Sequence, residues 1–443
     1  MEKPWTDLTP DERRAERFKK WLAPEGEFGS PEAGQAYRER VTRLIRAIRL
    51  QKPDRVPCIL PSGFFPAHYA GLDLKTVIYD YAELARAWIK FIREFDMDTY
   101  AGPATILPGR VFEGLDFKQY KWPGHGLAAN AYSYQYVEGE YMKPEEYDDL
   151  IEDPSDFWMR VHLPRVFGAL EPLQRLPSFT TIYEISSGYF LPYARPDVRA
   201  ALQALLDAGE EAARWAEASR QVDREALKLG LPSLRGGILK APFDIIGDTL
   251  RGTQGILTDM FRRPQKLLEA LDRITPLTIK SAVASVNAAG GRFVFIPLHK
   301  GDDTFMSAKQ YQTFYWPTFR RLIMGLVEEG IVPVLFAEGR YNRRLETIKD
   351  LPRASVIWYF DRTDMAAAKR ALGDVCCIMG NVPTSLLVTG TPADIKDYCH
   401  RLIETCGAGG GFILAGGANL DRGRAENLRA MMEAAREFGV YSS

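Results

Sequence analysis

FVFIPLHKGDD, residues 293–303, and VPVLFAEGRYN, residues 332–342, decide how this chain folds. Each begins as a short apolar run and then breaks into charged and small residues. Between them, Ala308–Glu329 carries apolar residues at helical spacing. An apolar run, an amphipathic helix and a second apolar run form a strand–helix–strand unit, whose strands pair in parallel. The charged residues that follow each run then gather at one end of the sheet.

The same rhythm extends outward in both directions. Strands are predicted at Val56–Pro61, Met97–Ala101, Gly237–Ala241, Phe293–Leu298, Val332–Ala337, Val356–Phe360, Val375–Met379 and Gly411–Ala415. Helical patterns at Tyr79–Phe95, Gln265–Ala289, Thr363–Leu372, Pro392–Cys406 and Arg424–Phe438 separate most of them. Eight such units predict a (β/α)8 TIM barrel over residues 51–443; an open doubly wound sheet is the alternative. No GxGxxG follows the first strand, which speaks against dinucleotide binding. Residues 1–50 read as a helical N-terminal extension covering one end of the barrel. Its second helix starts at Ser30-Pro31-Glu32, with Val41, Leu44, Ile45 and Ile48 on one face. A long insertion, about residues 103–232, follows the second strand and is rich in aromatic residues between Tyr132 and Tyr147. It is either a lid over the site or a packed subdomain.

Composition excludes several classes. Of 443 residues, 46% are hydrophobic, enough for a large core without staples. With 57 basic and 58 acidic residues the net charge is −1, which gives no electrostatic footprint for nucleic acid or an anionic membrane. No stretch approaches the roughly 20 apolar residues of a membrane span, and no apolar leader follows Met1. The five cysteines, Cys58, Cys376, Cys377, Cys399 and Cys406, form no CxxC pair. Free thiols in a reducing cytoplasm are expected. Alternation turns one of Cys376 and Cys377 toward the barrel and the other toward the helices.

Chemistry is expected where the strands end. His299-Lys300-Gly301-Asp302-Asp303 follows the fourth strand and Glu338-Gly339-Arg340-Tyr341-Asn342 the fifth. The sixth ends in Tyr359-Phe360-Asp361 and the seventh runs into Gly380-Asn381. His299, Glu338, Asp303 and Asp361 are therefore the candidate catalytic residues; Arg340, Tyr359, Asn381 and His125 are candidates for holding a substrate. A histidine with several carboxylates ligates a metal or divides acid and base roles by shifted pKa. His299 and Glu338 are the candidate ligands. Against this, one of Asp302 and Asp303 is expected to cap the following helix.

Several stretches together resemble the uroporphyrinogen decarboxylase superfamily over about residues 50–440. They are Ala241-Pro242-Phe243 leading to Leu250-Arg251-Gly252, Met260-Phe261-Arg262-Arg263-Pro264, the Tyr-x-x-Phe-x-x-Pro of Tyr311 to Pro317, Gly380-Asn381-Val382-Pro383, and Gly410-Gly411-Phe412-Ile413-Leu414 followed by Glu426-Asn427-Leu428. The resemblance implies a barrel enzyme with one of two chemistries. One is decarboxylation without a cofactor; the other is methyl transfer to or from a corrinoid, often with zinc. The decarboxylase signature has arginines after the first strand and an aspartate after the second. Pro61-Ser62-Gly63-Phe64-Phe65 and Gly102-Pro103-Ala104 stand there instead. The zinc cysteines of the methyltransferases are replaced by Glu338 and Ala418. The expectation is a corrinoid-linked methyltransferase that demethylates a small O-, N- or S-methyl compound. Its corrinoid would arrive on a separate protein, and a divalent metal such as zinc would sit at a different set of ligands. The alternative is a cofactor-independent decarboxylase or lyase acting on another substrate. The resemblance also implies a homodimer.

Overall fold

The computed structural model describes residues 3–181, 186–234 and 236–441. Its centre is a curled, wholly parallel sheet of seven strands: β1 (Cys58–Ile59), β5 (Gly236–Ile238), β6 (Phe293–Leu298), β7 (Val332–Ala337), β8 (Ile357–Phe360), β9 (Cys377–Val382) and β10 (Phe412–Gly416). Their order is β1-β10-β9-β8-β7-β6-β5. Helices alternate with the strands, as parallel pairing requires.

One predicted strand is missing, which corrects the eight-stranded expectation. Met97–Ala101 forms no ladder, only an isolated parallel bridge from Tyr100 to Ser233. Asp98 N donates to Cys58 O at 3.0 Å, and Tyr100 N donates to Pro232 O at 3.3 Å. The segment thus spans from β1 to the chain leading into β5 by single hydrogen bonds. The cause is the Asp98 side chain. Its carboxylate accepts the Cys58 amide at 2.7 Å, the group a ladder would use, and pairs with Arg43 at 2.6 Å and Arg55 at 2.8 Å.

The N-terminal helices Pro10–Leu22 and Pro31–Ile48 cover the end of the curled sheet from which the strands start. Thr9 caps the first in a reciprocal box with Glu12, and Ser30 caps the second through Ala33 N. Phe18, Trp21, Val41, Leu44 and Ile48 pack in one cluster with inward residues of the sheet, including Phe293, Val334, Ile357 and Ile413. The Trp21 and Phe293 rings meet edge to face at 5.1 Å. A second apolar layer lies between the strands and the surrounding helices. Cys377 belongs to the inner cluster and Cys376 to the outer one, as strand alternation requires. All five thiols are free and buried, and burial pushes Cys376 up to about 12, so it is inert as a nucleophile.

The insertion carries a three-stranded sheet, β2 (Tyr120–Pro123), β3 (Gly126–Leu127) and β4 (Gln135–Tyr136), in the order β3-β2-β4. It also contains the 33-residue helix Pro196–Lys228. Val111, Leu170, Leu173 and Val198 give it an apolar cluster of its own. Among the described residues no helix is long and apolar enough to cross a membrane.

Candidate active site

The site begins with an apolar floor. Register pairs Pro297 with Phe336, Phe336 with Tyr359, and Tyr359 with Met379. These positions share the inward face, where Phe295 stacks on Phe336 at 5.8 Å and Phe336 on Tyr359 at 4.5 Å. Two residues further along each strand, alternation brings His299, Glu338, Asp361 and Asn381 to the mouth. Ile238, inward on the edge strand β5, is 60% exposed, so the mouth stands open on that side.

His299 is held from behind. Its Nδ1 meets Asp248 Oδ2 at 2.5 Å. Lys240 Nζ reaches the same oxygen at 3.0 Å, and Lys300 Nζ reaches Oδ1 at 2.8 Å. Asp248 sits in the π-helical turn Ile245–Arg251, which follows β5 and the short helix Pro242–Asp244, and Tyr136 of the insertion donates its hydroxyl to the Asp248 carbonyl at 2.5 Å. One turn earlier, fully buried Asp244 accepts the backbone amides of His299 and Lys300, both at 3.1 Å, and the Tyr315 hydroxyl at 2.7 Å. These bonds fix the backbone that presents the imidazole.

The electrostatics follow from this packing. Burial opposes ionisation of Asp248, but the His299 hydrogen bond and the Lys240 and Lys300 charges hold its carboxyl well below the usual range. Burial also opposes the His299 imidazolium. The Asp248 bond and charge outweigh it, with help from Asp244 and Glu338, and the pKa of His299 is raised. Burial and then the Asp248 charge push Asp244 upward, against His299, Tyr315 and Lys300. Nε2 of His299 faces Glu338 Oε1 at 3.9 Å. Burial lifts Glu338 above the ordinary carboxyl range, with Asp361 and Asp248 adding to the effect. Gly339 turns the chain with φ +81°, a left-handed conformation that suits glycine, and its amide donates to Asp361 Oδ2 at 3.1 Å. Asp361 is also raised by burial.

The insertion supplies a wall of rings. Tyr120 meets Tyr134 and Tyr136, each at 5.3 Å, and Tyr134 meets Phe64 at 5.3 Å. Burial pushes the Tyr134 hydroxyl up to about 12, with contributions from Tyr120, Asp421 and Glu338, which places it in the field of the mouth.

Other residues expected from the sequence lie elsewhere. Asp303 accepts the Arg343 amide at 3.0 Å and anchors a loop, while Asp302 caps a turn through Phe305 N at 2.9 Å. Asp303 is thereby occupied in backbone support. His125 stacks on Trp122 at 4.2 Å within the insertion hairpin, in contact with none of the histidine–carboxylate group. Arg340 is exposed at the rim. Tyr359 is 2% exposed and donates to Gly416 O at 2.7 Å, so it belongs to the floor. Asn381 donates to Asp361 O and Thr363 O at 3.1 and 2.9 Å.

Among the described residues, no group of three or more His, Cys, Asp or Glu side chains could hold a metal ion. His299 commits Nδ1 to Asp248, which leaves two donor groups, His299 Nε2 and Glu338. A catalytic zinc takes three protein ligands, so the donor set does not fit one. It suits proton transfer instead: an oriented imidazole with its second nitrogen toward an open mouth. Sequence reading missed Lys240, Asp244, Asp248 and Tyr315. The two aspartates stand four residues apart on the turn directly after a strand, a spacing that puts both on one helical face and could have marked them.

The family model described as uroporphyrinogen decarboxylase (URO-D) matches residues 193–438. A uroporphyrinogen decarboxylase of Coxiella burnetii is 22% identical over 184 residues, covering 41% of this chain and 50% of that protein. One from Psychromonas ingrahamii is 27% identical over 208 residues, covering 45% of this chain and 56% of that protein. The chain thus spans about half the length of the curated relatives it matches. Among solved structures, a methyltransferase from Methanosarcina mazei has a similar fold, with a TM-score of 0.57 at 15% identity over 90% of this chain and 98% of that one.

Proposed function

This chain belongs to the uroporphyrinogen decarboxylase family, and we propose that it is an enzyme that demethylates a small methyl ether, with protonated His299 as the general acid. The observation that carries this reading is the Asp248–His299 pair at 2.5 Å, with Nε2 turned toward Glu338 and the mouth. An ether oxygen leaves as an alkoxide or phenoxide and gains from a proton delivered in the transition state. A quaternary ammonium leaves as a neutral amine and needs none. An acid at this position therefore favours O-methyl over N-methyl substrates. The stacked floor of Phe295, Phe336 and Tyr359 and the tyrosine wall favour a partly apolar substrate. Glu338 and Asp361 at the mouth disfavour a polycarboxylate. The protein of similar fold from Methanosarcina mazei is a methyltransferase, which is in keeping with methyl transfer.

A corrinoid on a separate protein would supply the methyl acceptor, and the open side beside Ile238 fits a bulky acceptor presented from outside. The chain's own residues orient the ether and hold the proton. Asp248 keeps Nδ1–H in place, Lys240 and Lys300 fix Asp248, and Nε2–H is given to the departing oxygen. Five free buried thiols accord with a reducing cytoplasm.

The test is absorbance of a reduced corrinoid mixed with the protein and a panel of methyl ethers. Conversion to the methylated corrinoid, slowed roughly 10²–10⁴-fold in His299→Asn, is expected. The alternative, decarboxylation of another substrate by the same acid, predicts carbon dioxide release without corrinoid methylation.

A further inference from the structure

A groove of about 860 Å³ leads from Asp361 and Asn381 at the mouth across to the helices Met365–Leu372 and Pro392–Gly407. Arg340, Arg362 and Arg401 enter it from three separate segments. Arg362 has Asp361 at 3.5 Å. Arg401 lies over the Tyr398 ring at 5.6 Å, and neither it nor Arg340 has an ion pair among the described residues. Asp364, the other acid in the wall, is committed to capping a helix through Ala367 N at 3.0 Å. Asn381 is 6% exposed; its amide nitrogen is fully used, and its Oδ1 has no partner among the described residues.

Three guanidiniums and two carboxylates, Asp361 and Asp364, line the groove, which leaves it a net positive charge suited to an anion. Their planar forks match phosphate oxygens in two-point contacts. A bare ion would leave most of the groove empty, since clefts of this size take drug-sized molecules. Tyr398 and Leu402 add an apolar wall. We propose that the groove binds an organic phosphate ester of nucleotide type, with phosphate on the arginines and its ring against Tyr398 and Leu402. The site lies outside the Asp248–His299 chain and stands independently of the ether reading. Its occupant reaches the mouth along Asp361.

Isothermal titration calorimetry of the full chain at low salt tests this with AMP and inorganic phosphate as probes. AMP should bind with a Kd below about 1 mM and at least tenfold tighter than phosphate. Arg401→Glu and Arg362→Glu, both at exposed positions, should each weaken AMP about tenfold or more at unchanged melting temperature. His299→Asn should leave AMP binding as it is. No AMP binding at about 10 mM, equal affinity for phosphate and AMP, or an unchanged Kd in both arginine variants would overturn the proposal.

Discussion

At His299 two effects of similar kind oppose each other, and geometry decides between them. Burial favours the neutral ring, yet a 2.5 Å contact with a carboxylate itself fixed by two lysines favours the cation. Glu338 adds to the same effect, so Glu338→Gln should lower the His299 pKa. The alkaline limb of the pH–rate profile then moves to lower pH; an unmoved limb would remove Glu338 from this role. Stability carries the same signature. The folded pKa of His299 is raised, so its contribution is complete below the unfolded value of about 6.5 and is lost as pH rises through the folded value. Asp248 is depressed, so its contribution is present above about 3.9 and is lost as pH falls through its folded value. Melting temperature should decline on the alkaline side in the wild type and decline less in His299→Asn, as scanning calorimetry would show.

Single strands and loops show where sequence patterning reaches its limit. The continuous apolar runs at Phe293–Leu298 and Val332–Ala337 are strands with the predicted bounds, because residues packed on both faces leave an unmistakable apolar run. Met97–Ala101 reads equally well as a strand, but its place beside β1 is taken by a side chain, and no periodicity reveals that Asp98 will bond the Cys58 amide. Removing that carboxylate breaks a buried pair. Asp98→Ala should cost about 3–5 kcal/mol in denaturant unfolding; a loss under about 1 kcal/mol would show that backbone bonds alone hold the segment. Capping was similarly ambiguous. Asp302 and Asp303 looked alike, and only the loop from Arg340 to Arg343 decided that Asp303 supports a neighbouring backbone. His299, Glu338 and Asp361 were legible because strand ends point to one mouth. Asp244 and Asp248 carry the weaker signal of a four-residue spacing alone, since they lie beyond the strand end in the helical stretch Pro242–Arg251.

Over the whole molecule, the division of labour follows the chain. The N-terminal helices cover one end of the curled sheet, the strand ends carry the acid group, and the insertion lends Tyr134 and Tyr136 to the other end. Trp21→Ala opens the sealed end and should cost about 3–5 kcal/mol with little change at the mouth. Phe179, Phe190, Leu191 and Leu206 of the insertion are large and exposed. We expect a homodimer, with a light-scattering mass near twice 50.0 kDa; a mass of one chain at micromolar concentration would contradict it. Everything proposed for the reaction depends on one protonation state, which histidine-resolved NMR titration reads without a substrate. Of the five histidines, the His299 signal is the one lost in His299→Asn. Its pKa should lie above the ordinary value of about 6.5 and fall toward or below it in Asp248→Asn. A wild-type value at or below about 6.5 would contradict the account.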